Sequence, residues 1–579
     1  MNRLRLRYAG FALLLLGSVC YGRSHKIAPD LNGVDSQSVV NVIVQFAPGS
    51  DNAQHGIVQR ARGVERAQLP LVQGTVISVP ALALEGLAHD PNVVYISPDR
   101  QVAATLDYAN PAVDAEYAFQ YGWNGSGVGV AIIDSGILKE SDLLSGSTKG
   151  SNASRIVYDQ SFIPKVTNTA DQYGHGTHVA GIVGGNGAAS TGSDYFKTFR
   201  GMAPNANLIN LRVLDGNGVG TDSSVINAID TAIQLKDTYN IRVINLSLGR
   251  PVYESYALDP LCQAVERAWN AGIVVVVAAG NQGRNATTNG YATITAPGND
   301  PLVITVGAMK TEGTITRSDD LIASYSSKGP TLFDHVVKPD LVAPGNRIIS
   351  LLTSKSLIET KAAVNKVPYS YYQNTKRQSD SADYYRLSGT SMAAPMVSGA
   401  AALMLNQDST LTPETVKARL MRSGSKLFPL YSTAVDPVTN ASYTSQSDIF
   451  TIGAGYLDIG AALGSTDIVP AGGTAASPTA VFNSVTNTVS IVNTNTAVWG
   501  TTAVWGTTAV WGTSAVWGTS VFVDGAAAVW GTSAVWGGAA VWGTSGTSAN
   551  AAVWGTAAVW GTSTSDGSET MSLLINGEN

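Results

Sequence analysis

Four short, mostly apolar segments constrain the fold of this chain more than any other feature. They are residues 128–133, 208–214, 243–248 and 273–277. A strand has this composition when both of its faces are buried, as in a parallel sheet covered by helices. Two further segments, residues 223–235 and 260–269, repeat apolar residues with a helical period. The sequence therefore predicts an α/β domain, over residues 109–463, in which helices flank a mainly parallel sheet.

The amino-acid composition narrows the classes of function. The chain has 579 residues, which is more than one domain of ordinary size contains. Hydrophobic residues make up 44% of the chain, enough for a sizeable core. Charged residues make up only 13% and the net charge is -6, so no basic face for nucleic acid is expected.

The N-terminus is typical of an export signal. Arg3, Arg5 and Arg7 precede an apolar stretch, residues 9–16, that is too short to span a bilayer. We expect a signal peptide over residues 1–22 and a protein that is secreted or held at the cell surface, in the manner of bacterial exported proteins. A lipid anchor on Cys20 is the alternative, although Val19 stands where that signal requires a small residue. No other segment predicts a membrane anchor.

Residues 23–108 predict a small α+β domain ahead of the larger one. Residues 39–46, 75–79 and 93–96 have strand patterns, and residues 81–89 have a helical pattern. Their order along the chain distinguishes this region from the alternation of strands and helices that follows it.

The C-terminal part of the chain has a different composition. Residues 464–490 are rich in Gly, Ala, Ser, Thr and Pro, which predicts a linker. Residues 491–579 contain a repeat of the form Ala-Val-Trp-Gly-Thr-Thr/Ser, in which most tryptophans are six residues apart. An even spacing places each Trp on the same face of an extended chain, so the repeat is β-prone. It predicts either an array of strands with a Trp ladder or a low-complexity tail that is removed during maturation.

Three motifs supply an acid, a base and a hydroxyl, in that order. Asp134 ends an apolar run and is followed by Ser and Gly, His175 opens His-Gly-Thr-His-Val-Ala-Gly, and Ser391 lies in Gly-Thr-Ser-Met-Ala-Ala-Pro. Together these are the parts of an activated serine nucleophile. We expect Ser391 at the start of a helix that reaches about residue 405, with Pro395 in its first turn.

Each motif alone has a simpler interpretation. Asp134 is compatible with an ordinary turn, Ser391 with a helix cap, and His175 with a metal ligand beside His178. The residues at helical spacing from the two histidines, Val179 and Ile182, are apolar and cannot complete a metal site. His178 is therefore expected to be a packed structural residue.

The three motifs and their order resemble those of the subtilases, the subtilisin-like serine proteases. The resemblance covers about residues 39–465. It implies that Ser391 is the nucleophile, His175 the general base, and Asp134 the group that fixes the histidine tautomer. It also implies that Asn281, which follows the strand pattern at residues 273–277, donates to the oxyanion with the N–H of Ser391.

The same resemblance implies where a protein or peptide substrate binds. The implied contacts belong to three short segments that follow predicted strands or turns. They are Gly218, Val219 and Gly220; Ser247, Leu248 and Gly249; and Ala278, Ala279 and Gly280. An extended peptide would add as a strand between the first two segments, and the third would form a wall of the primary pocket. Small, uncharged walls favour large, uncharged substrate side chains.

The resemblance further implies how the enzyme matures. Residues 23–108 would be a ferredoxin-like propeptide that assists folding and inhibits its own protease, with a tail at residues 101–109 lying in the cleft like a product until self-cleavage. The chemistry requires no cofactor. Structural calcium is compatible with the family, but residues 185–200 lack its calcium-binding pattern and no ligand is assigned. Residues 346–387 form a long insertion that is expected at the rim of the cleft.

Two functions compete on the sequence alone. The first is a secreted serine endopeptidase that is made as an inhibited precursor. The second is a surface or adhesion protein, built on the repeat, whose protease domain serves mainly its own processing. Intact acid, base and hydroxyl residues favour the first and disfavour a third interpretation, an inactive binding module with the same fold.

Overall fold

The structure is a computed structural model of the chain. It describes residues 24, 26–28, 31, 34–69, 73–98, 104–105, 109–146, 153–285, 288–375, 379–483, 488–492, 520–523, 528–530, 534–536 and 567–578. The chain divides into two units, Met1–Ala103 and Ala104–Asn579. The predicted signal peptide lies outside the described residues.

The first unit is a four-stranded antiparallel sheet with two helices. Its elements are β1 (Val39–Phe46), α1 (Asp51–Arg60), β2 (Val64–Leu69), β3 (Gly74–Pro80), α2 (Leu84–Ala88) and β4 (Val93–Pro98). The strand order β2-β3-β1-β4 is the ferredoxin-like arrangement that was expected. The sequence analysis missed α1 and β2, because both are polar and α1 contributes only a narrow apolar face, Ile57 and Val58, to the core of this unit.

A mainly parallel sheet organises the second unit. Its strands are β6 (Gly129–Asp134), β7 (Ile156–Ser161), β9 (Asn207–Arg212), β10 (Ile241–Leu246), β11 (Val274–Ala278), β12 (Ile304–Lys310), β13 (Leu321–Ile322) and β14 (Leu341–Pro344). The order is β13-β12-β11-β10-β6-β9-β7, with β14 also paired to β12. Within this sheet β13 is antiparallel to β12, and the other pairs are parallel.

The four predicted strands are the adjacent strands β11, β10, β6 and β9 of this sheet. Every residue of β6 and β11 is buried, as expected for strands that are covered on both faces. The predicted α/β class is confirmed.

Helices flank the sheet. The helices of the second unit are α3 (Ala109–Ala112), α4 (Ala115–Gln120), α5 (His175–Gly184), α6 (Asp222–Gln234), α7 (Lys236–Tyr239), α8 (Pro260–Asn270), α9 (Leu357–Lys361), α10 (Thr390–Gln407), α11 (Pro413–Ser423), α12 (Ile449–Ile452), α13 (Ile459–Gly464) and α14 (Gly567–Asn576). Among them, α5, α6, α7, α8, α10 and α11 contact strands of the sheet. The predicted helices correspond to α6 and α8, whose first turns are capped by Thr221 and Asp259. Helix α10 is almost wholly buried and packs against α5, β10, β11 and β12.

Smaller sheets complete the unit. Their strands are β5 (Ala104–Thr105), β8 (Lys197–Thr198), β15 (Ile348–Leu351), β16 (Lys366–Pro368), β17 (Asp380–Leu387), β18 (Tyr431–Val435) and β19 (Ser442–Gln446). The insertion at residues 346–387 forms the sheet β15-β17-β16 and the helix α9. Its Leu357 and Ile358 N–H groups donate to the carbonyls of Gln172 and Tyr173, so it supports the chain that leads into α5.

The predicted linker differs from what the structure contains. Residues 479–492 include strands β20 (Thr479–Asn483) and β21 (Thr488–Val492). The preceding chain is held to the α/β domain, because the Ser477 N–H donates to Pro301 and the Val469 N–H to the Thr415 hydroxyl. These hydrogen bonds attach residues 469–477 to the domain, so this part of the predicted linker is not a free connection.

The described parts of the repeat are extended. Strands β22 (Ser520–Val523), β23 (Ala528–Trp530) and β24 (Ala534–Trp536) continue the antiparallel sheet begun by β20 and β21. The register pairs Trp530 with Ala534 and Ala528 with Trp536. The other repeat tryptophans lie outside the described residues. The chain ends with a helix, α14, which the sequence analysis included in the repeat region.

Ala104–Thr105, part of the predicted product-like tail, pairs with Lys197–Thr198 and not with either predicted substrate segment. Among the described residues, no helix is both long and apolar enough to cross a membrane.

Candidate active site

Asp134 lies at the carboxyl end of β6, at the edge where parallel sheets place their functional groups. Its side chain is 1% exposed, and its Oδ1 accepts a hydrogen bond from the Ser135 N–H at 2.7 Å. Its main-chain carbonyl accepts from the Val213 N–H, which ties this end of β6 to the end of β9. The carboxylate is therefore held in one position by the sheet itself.

His175 is the first residue of α5 and is 5% exposed. Its Nδ1 lies 2.8 Å from Asp134 Oδ1. A carboxylate can only accept, so Nδ1 carries the proton and Nε2 is left as an acceptor. Burial acts to lower the pKa of His175, but the charge of Asp134, the hydrogen bond to it and the charge of Asp171 outweigh burial and raise that pKa above 6.5.

Asp171 is a second buried carboxylate, which the sequence analysis missed. Its oxygens accept from the Gly174 N–H at 2.7 Å, the Thr177 N–H at 2.9 Å and the Ser135 hydroxyl at 2.9 Å. It thereby caps the first turn of α5, where main-chain N–H groups have no partner within the helix. An Asp four residues before His175 was the available signal. Burial raises the pKa of Asp171, and its hydrogen bonds oppose that shift.

Ser391 is the second residue of α10 and is partly exposed. Its hydroxyl donates to the carbonyl of Ser247 at 3.2 Å. Among the described residues, no hydrogen bond joins the Ser391 hydroxyl to His175. Gly389 precedes the helix with a φ of 146°, a conformation that side chains disfavour, and a Cβ there would lie 3.2 Å from Asn281 Nδ2.

The expectation for Pro395 is wrong in detail. The helix begins at Thr390, so Pro395 lies in the second turn, where a proline removes an N–H that would bond to the Ser391 carbonyl. The Ser247 hydroxyl donates to that carbonyl at 2.8 Å in its place. Ser247 is in turn held by the buried Asn245, whose Nδ2 donates to it at 3.0 Å.

Asn281 follows β11 and is oriented by the start of α10. Its Oδ1 accepts from the Thr390 N–H at 2.9 Å and from the Thr390 hydroxyl at 3.1 Å. Both contacts require the oxygen end of the amide to face Thr390. The Nδ2 end is thus the part of the side chain that can donate to a bound oxygen.

One cleft of about 500 Å³ contains His175, Ser391 and Asn281. It brings together eight of the nine predicted substrate contacts. They are Gly218, Val219, Gly220, Ser247, Leu248, Gly249, Ala278 and Gly280. Ala279 does not line it, because alternate residues of an extended chain face opposite ways. Ala279 is fully buried, with its N–H bonded to Val306 and its carbonyl to Thr295.

The segment 218–220 offers only part of its main chain to a substrate. The Val219 N–H donates to the Asp215 carboxylate, and the Val219 carbonyl accepts from the Asp215 N–H. The Val219 side chain is 65% exposed. The Gly218 N–H also donates to the Asp215 carbonyl. Main-chain pairing with a peptide therefore depends on the Gly218 carbonyl and on the groups of Gly220.

Other residues of the cleft were missed because distant segments supply them. They include Tyr173, Leu214, Arg250, Thr295 and Leu574. The Tyr173 ring lies 6.3 Å from the His175 ring. The predicted pocket wall at 278–280 is uncharged, but the cleft also contains Arg250 and Asp222, and Arg250 is paired with Asp222 and with the buried Asp259.

His178 behaves as the predicted structural residue. It is fully buried, and its Nε2 lies 3.1 Å from the Ile348 carbonyl and 3.2 Å from that of Tyr385. Burial lowers the pKa of His178 to about 3, so it stays neutral. Within the described residues, no three His, Cys, Asp or Glu side chains form a group that could hold a metal ion, and we assign no calcium ligand.

The buried acid–base pair, with a serine hydroxyl in the same cleft of an α/β sheet, defines a serine hydrolase. Comparison with known proteins specifies the family. The Subtilase family matches residues 125–455. Serine protease AprX of Bacillus subtilis (strain 168) is 35% identical over 404 residues, which cover 68% of this chain and 84% of AprX.

Two further relatives support the assignment. Subtilisin E of the same strain is 31% identical over 414 residues, 71% of this chain and 91% of subtilisin E. The extracellular serine proteinase of Thermus sp. (strain Rt41A) is 34% identical over 370 residues, 62% of this chain and 72% of that protein. The chain belongs to the subtilase family and is a serine endopeptidase.

Proposed function

We propose that this protein hydrolyses peptide bonds through an acyl-enzyme on Ser391, with His175 as general base and Asp134 as its orienting group. The observation that carries the proposal is the buried 2.8 Å contact between His175 Nδ1 and Asp134, which leaves Nε2 as an acceptor in the cleft that contains Ser391. Rotation about the Cα–Cβ bond of Ser391 would move its hydroxyl from the Ser247 carbonyl toward His175. Catalytic hydrogen bonds are often completed only when substrate binds.

The reaction follows from these positions. His175 takes the proton of the Ser391 hydroxyl as the oxygen attacks the peptide carbonyl carbon, and then gives that proton to the leaving amine. Water enters and repeats the sequence to release the acyl group. The Nδ2 group of Asn281 and the N–H of Ser391, at the positive end of α10, would stabilise the oxyanion. These groups suffice for the chemistry, and no cofactor takes part in the proposed steps.

A protein or peptide substrate would bind as an extended strand between segments 218–220 and 247–249. The volume of about 500 Å³ accommodates several substrate residues. Ala278 and Gly280 leave room for a large side chain in the primary pocket. Because Arg250 is already paired with two carboxylates, it adds little net charge, and uncharged side chains are favoured.

We further propose export and maturation from an inhibited precursor. The basic and apolar N-terminal residues support export, and one relative is named as an extracellular proteinase. The ferredoxin-like first unit supports a propeptide, residues 23–108, that folds separately and inhibits the enzyme until it is cleaved. The repeat region would then remain on the mature protein or be removed later.

The test compares the full chain with its Ser391→Ala variant. We expect the wild type to lose the first unit and to cleave casein, whereas Ser391→Ala stays at full mass and loses activity by about 10⁶-fold. Ser350→Ala is the control, because it removes a serine hydroxyl that lies outside the cleft and donates to the His178 carbonyl. Equal processing of wild type and Ser391→Ala, with no casein cleavage by either, would overturn the proposal in favour of a repeat-bearing surface protein.

A further inference from the structure

The last described residues of the chain pack against the catalytic unit. Residues 571–578, here called the C-terminal clasp, comprise the end of α14 and the two residues after it. Leu573 and Leu574 are each 7% exposed and belong to the same hydrophobic core as the central sheet.

A buried charge anchors the end of the clasp. The Glu578 side chain is 0% exposed, and its carboxylate accepts from Arg284 Nη2 and from the Ser324 N–H at 2.8 and 2.9 Å. The Ser324 hydroxyl donates to the same carboxylate. Arg284 is itself 9% exposed and also pairs with Asp436. A buried ion pair is costly unless further hydrogen bonds satisfy it, so this set of partners specifies one docked position.

The main chain of the clasp is recognised as well. The Asn346 side chain exchanges two hydrogen bonds with Glu578, donating to its carbonyl at 2.9 Å and accepting from its N–H at 3.0 Å. Gly577 lies between the helix and this anchor with a φ of 61°. A Cβ on Gly577 would collide with the Ser388 hydroxyl and with Asn346 Oδ1. Glycine is thus required here both for its backbone conformation and for space.

The clasp reaches the catalytic cleft through one residue. The Leu574 carbonyl accepts from the Ser388 N–H at 3.0 Å, three residues before Ser391. Leu574 lines the cleft together with Ser391 and Asn281, whereas Leu573 does not. The proposed acyl-side contacts, segments 218–220 and 247–249 and the pocket wall at Ala278, come from other strands. Leu574 is added instead by the C-terminal clasp, which is bonded to the chain that leads into Ser391.

We propose that the C-terminal clasp is a fixed wall of the cleft, and that Leu574 restricts the size of the substrate residue on the leaving-group side of the scissile bond. The inference rests on the proposed serine-protease function. It makes Leu574 a specificity-determining residue supplied from the opposite end of the chain. The clasp also holds the C-terminal end of the repeat-bearing segment against the catalytic unit. The N-terminal end of that segment is held as well, because Thr479 forms a β-bridge with Val336.

The test uses peptides with one acyl half and either Ala or Phe immediately after the scissile bond. In Leu574→Ala, the ratio of kcat/KM for the Phe peptide to that for the Ala peptide should rise by about 10-fold, the scale of selectivity that a few methylene groups give. Leu573→Ala is the matched control, because it removes the same atoms from an equally buried neighbour outside the cleft. Its ratio should equal that of the wild type.

Three results would overturn the proposal: an unchanged ratio in Leu574→Ala, an equal shift in Leu573→Ala, or an equal gain of rate on both peptides. The last would identify an inhibitory plug that must leave the cleft before substrate binds. If hydrolysis of the peptides did not depend on Ser391, the proposed serine-protease function would be wrong. The proposed role of Leu574 on the leaving-group side would then be wrong as well.

Docking of the clasp has a readout that needs no activity. In the inactive Ser391→Ala protein, amide hydrogens of residues 573–578 should exchange slowly, and the additional change Gly577→Ala should accelerate that exchange. Gly464→Ala is the control, since a Cβ on Gly464 would meet no atom within 4 Å. Fast exchange in Ser391→Ala itself, or no effect of Gly577→Ala, would contradict a fixed clasp.

Discussion

The helix that carries His175 and the helix that carries Ser391 begin in opposite ways. At the start of α5, Asp171 accepts from three main-chain N–H groups and two hydroxyls, and Asp134 holds the imidazole. At the start of α10, the Ser391 hydroxyl is partly exposed and rests on the Ser247 carbonyl. At α5 the contact between His175 and Asp134 Oδ1 is already formed before substrate arrives, although the buried Asp134 Oδ2 has no hydrogen-bond partner among the described residues. At α10 the Ser391 hydroxyl has to change its hydrogen-bond partner before it can contact His175.

The difference follows from the cost of burying charge. A buried carboxylate is costly unless hydrogen-bond donors compensate for its lost hydration. Both oxygens of Asp171 have such donors, and Asp134 Oδ1 has the Ser135 N–H and His175. A neutral hydroxyl has no such requirement, and it can change partners at little cost. We infer that the acid–base pair is preorganised and that the nucleophile is positioned last.

The largest effect is expected for Asp134→Asn, which tests the preorganised pair of Asp134 and His175. An amide would donate to His175 Nδ1 and favour the wrong tautomer, so kcat should fall by about 10⁴-fold. Steady-state kinetics on a peptide substrate measure the loss. Asp142→Asn is the control, because Asp142 is equally buried but bonds to Tyr384 and the Ala189 N–H. A loss below tenfold in Asp134→Asn would show that the pair is not the catalytic one.

Removing the proposed oxyanion donor tests the nucleophile side. Asn281→Ala should lower kcat by about 10² to 10³-fold with little change in KM, because the amide acts only on the charge formed in the transition state. Asn299→Ala removes a buried amide that lies outside the cleft and accepts from the Cys262 thiol, so it should leave kcat unchanged. A rise in KM with constant kcat would instead make Asn281 a ground-state contact.

Asp171 links the start of α5 to the pH dependence of activity. His175 must be neutral to act as a base, and its pKa is raised above 6.5, so activity should rise as pH increases through that raised value. In Asp171→Asn, one negative charge that raises the pKa of His175 is removed. The rise in activity on the acid side of the pH profile, here called the acid limb, should therefore move to lower pH. The weakened cap should also reduce kcat by about 10 to 100-fold through misplacement of His175.

The pH profile of kcat/KM for wild type and Asp171→Asn distinguishes positioning from simple instability. Partial unfolding would lower activity without moving the limb. An unmoved limb in a folded Asp171→Asn protein would therefore contradict the electrostatic role of Asp171.

The smallest expected effect concerns the hydrogen bond from the Ser247 hydroxyl to the Ser391 carbonyl. Ser247→Ala should leave the Ser391 carbonyl unpaired and reduce the free energy of unfolding by about 1 to 3 kcal/mol. Adding Pro395→Ala restores an N–H that can bond to this carbonyl within α10, so the double variant should recover part of the loss. Urea denaturation of the four proteins gives the coupling. Additive losses would show that the Ser247 hydroxyl is not a substitute for the missing helical bond.

The sequence was most informative where local pattern and position coincide. The apolar runs located the four central strands, and the motifs located Asp134, His175 and Ser391, because each motif residue follows directly from a strand or begins a helix. Helices α1 and α14 were missed for the opposite reason. Their positions are fixed by contacts with distant parts of the chain and not by a strong apolar period.

By itself, the sequence determined the α/β class, the family motifs and the order of acid, base and hydroxyl. Only the tertiary structure decided which groups surround them. Contacts between residues far apart in the chain place Asp171, Thr390 and Leu574 at the site. The Ser391 hydroxyl likewise has its partner at Ser247, directly after β10. Side-chain periodicity reports which face of an element is buried, but it carries no information about what that face meets.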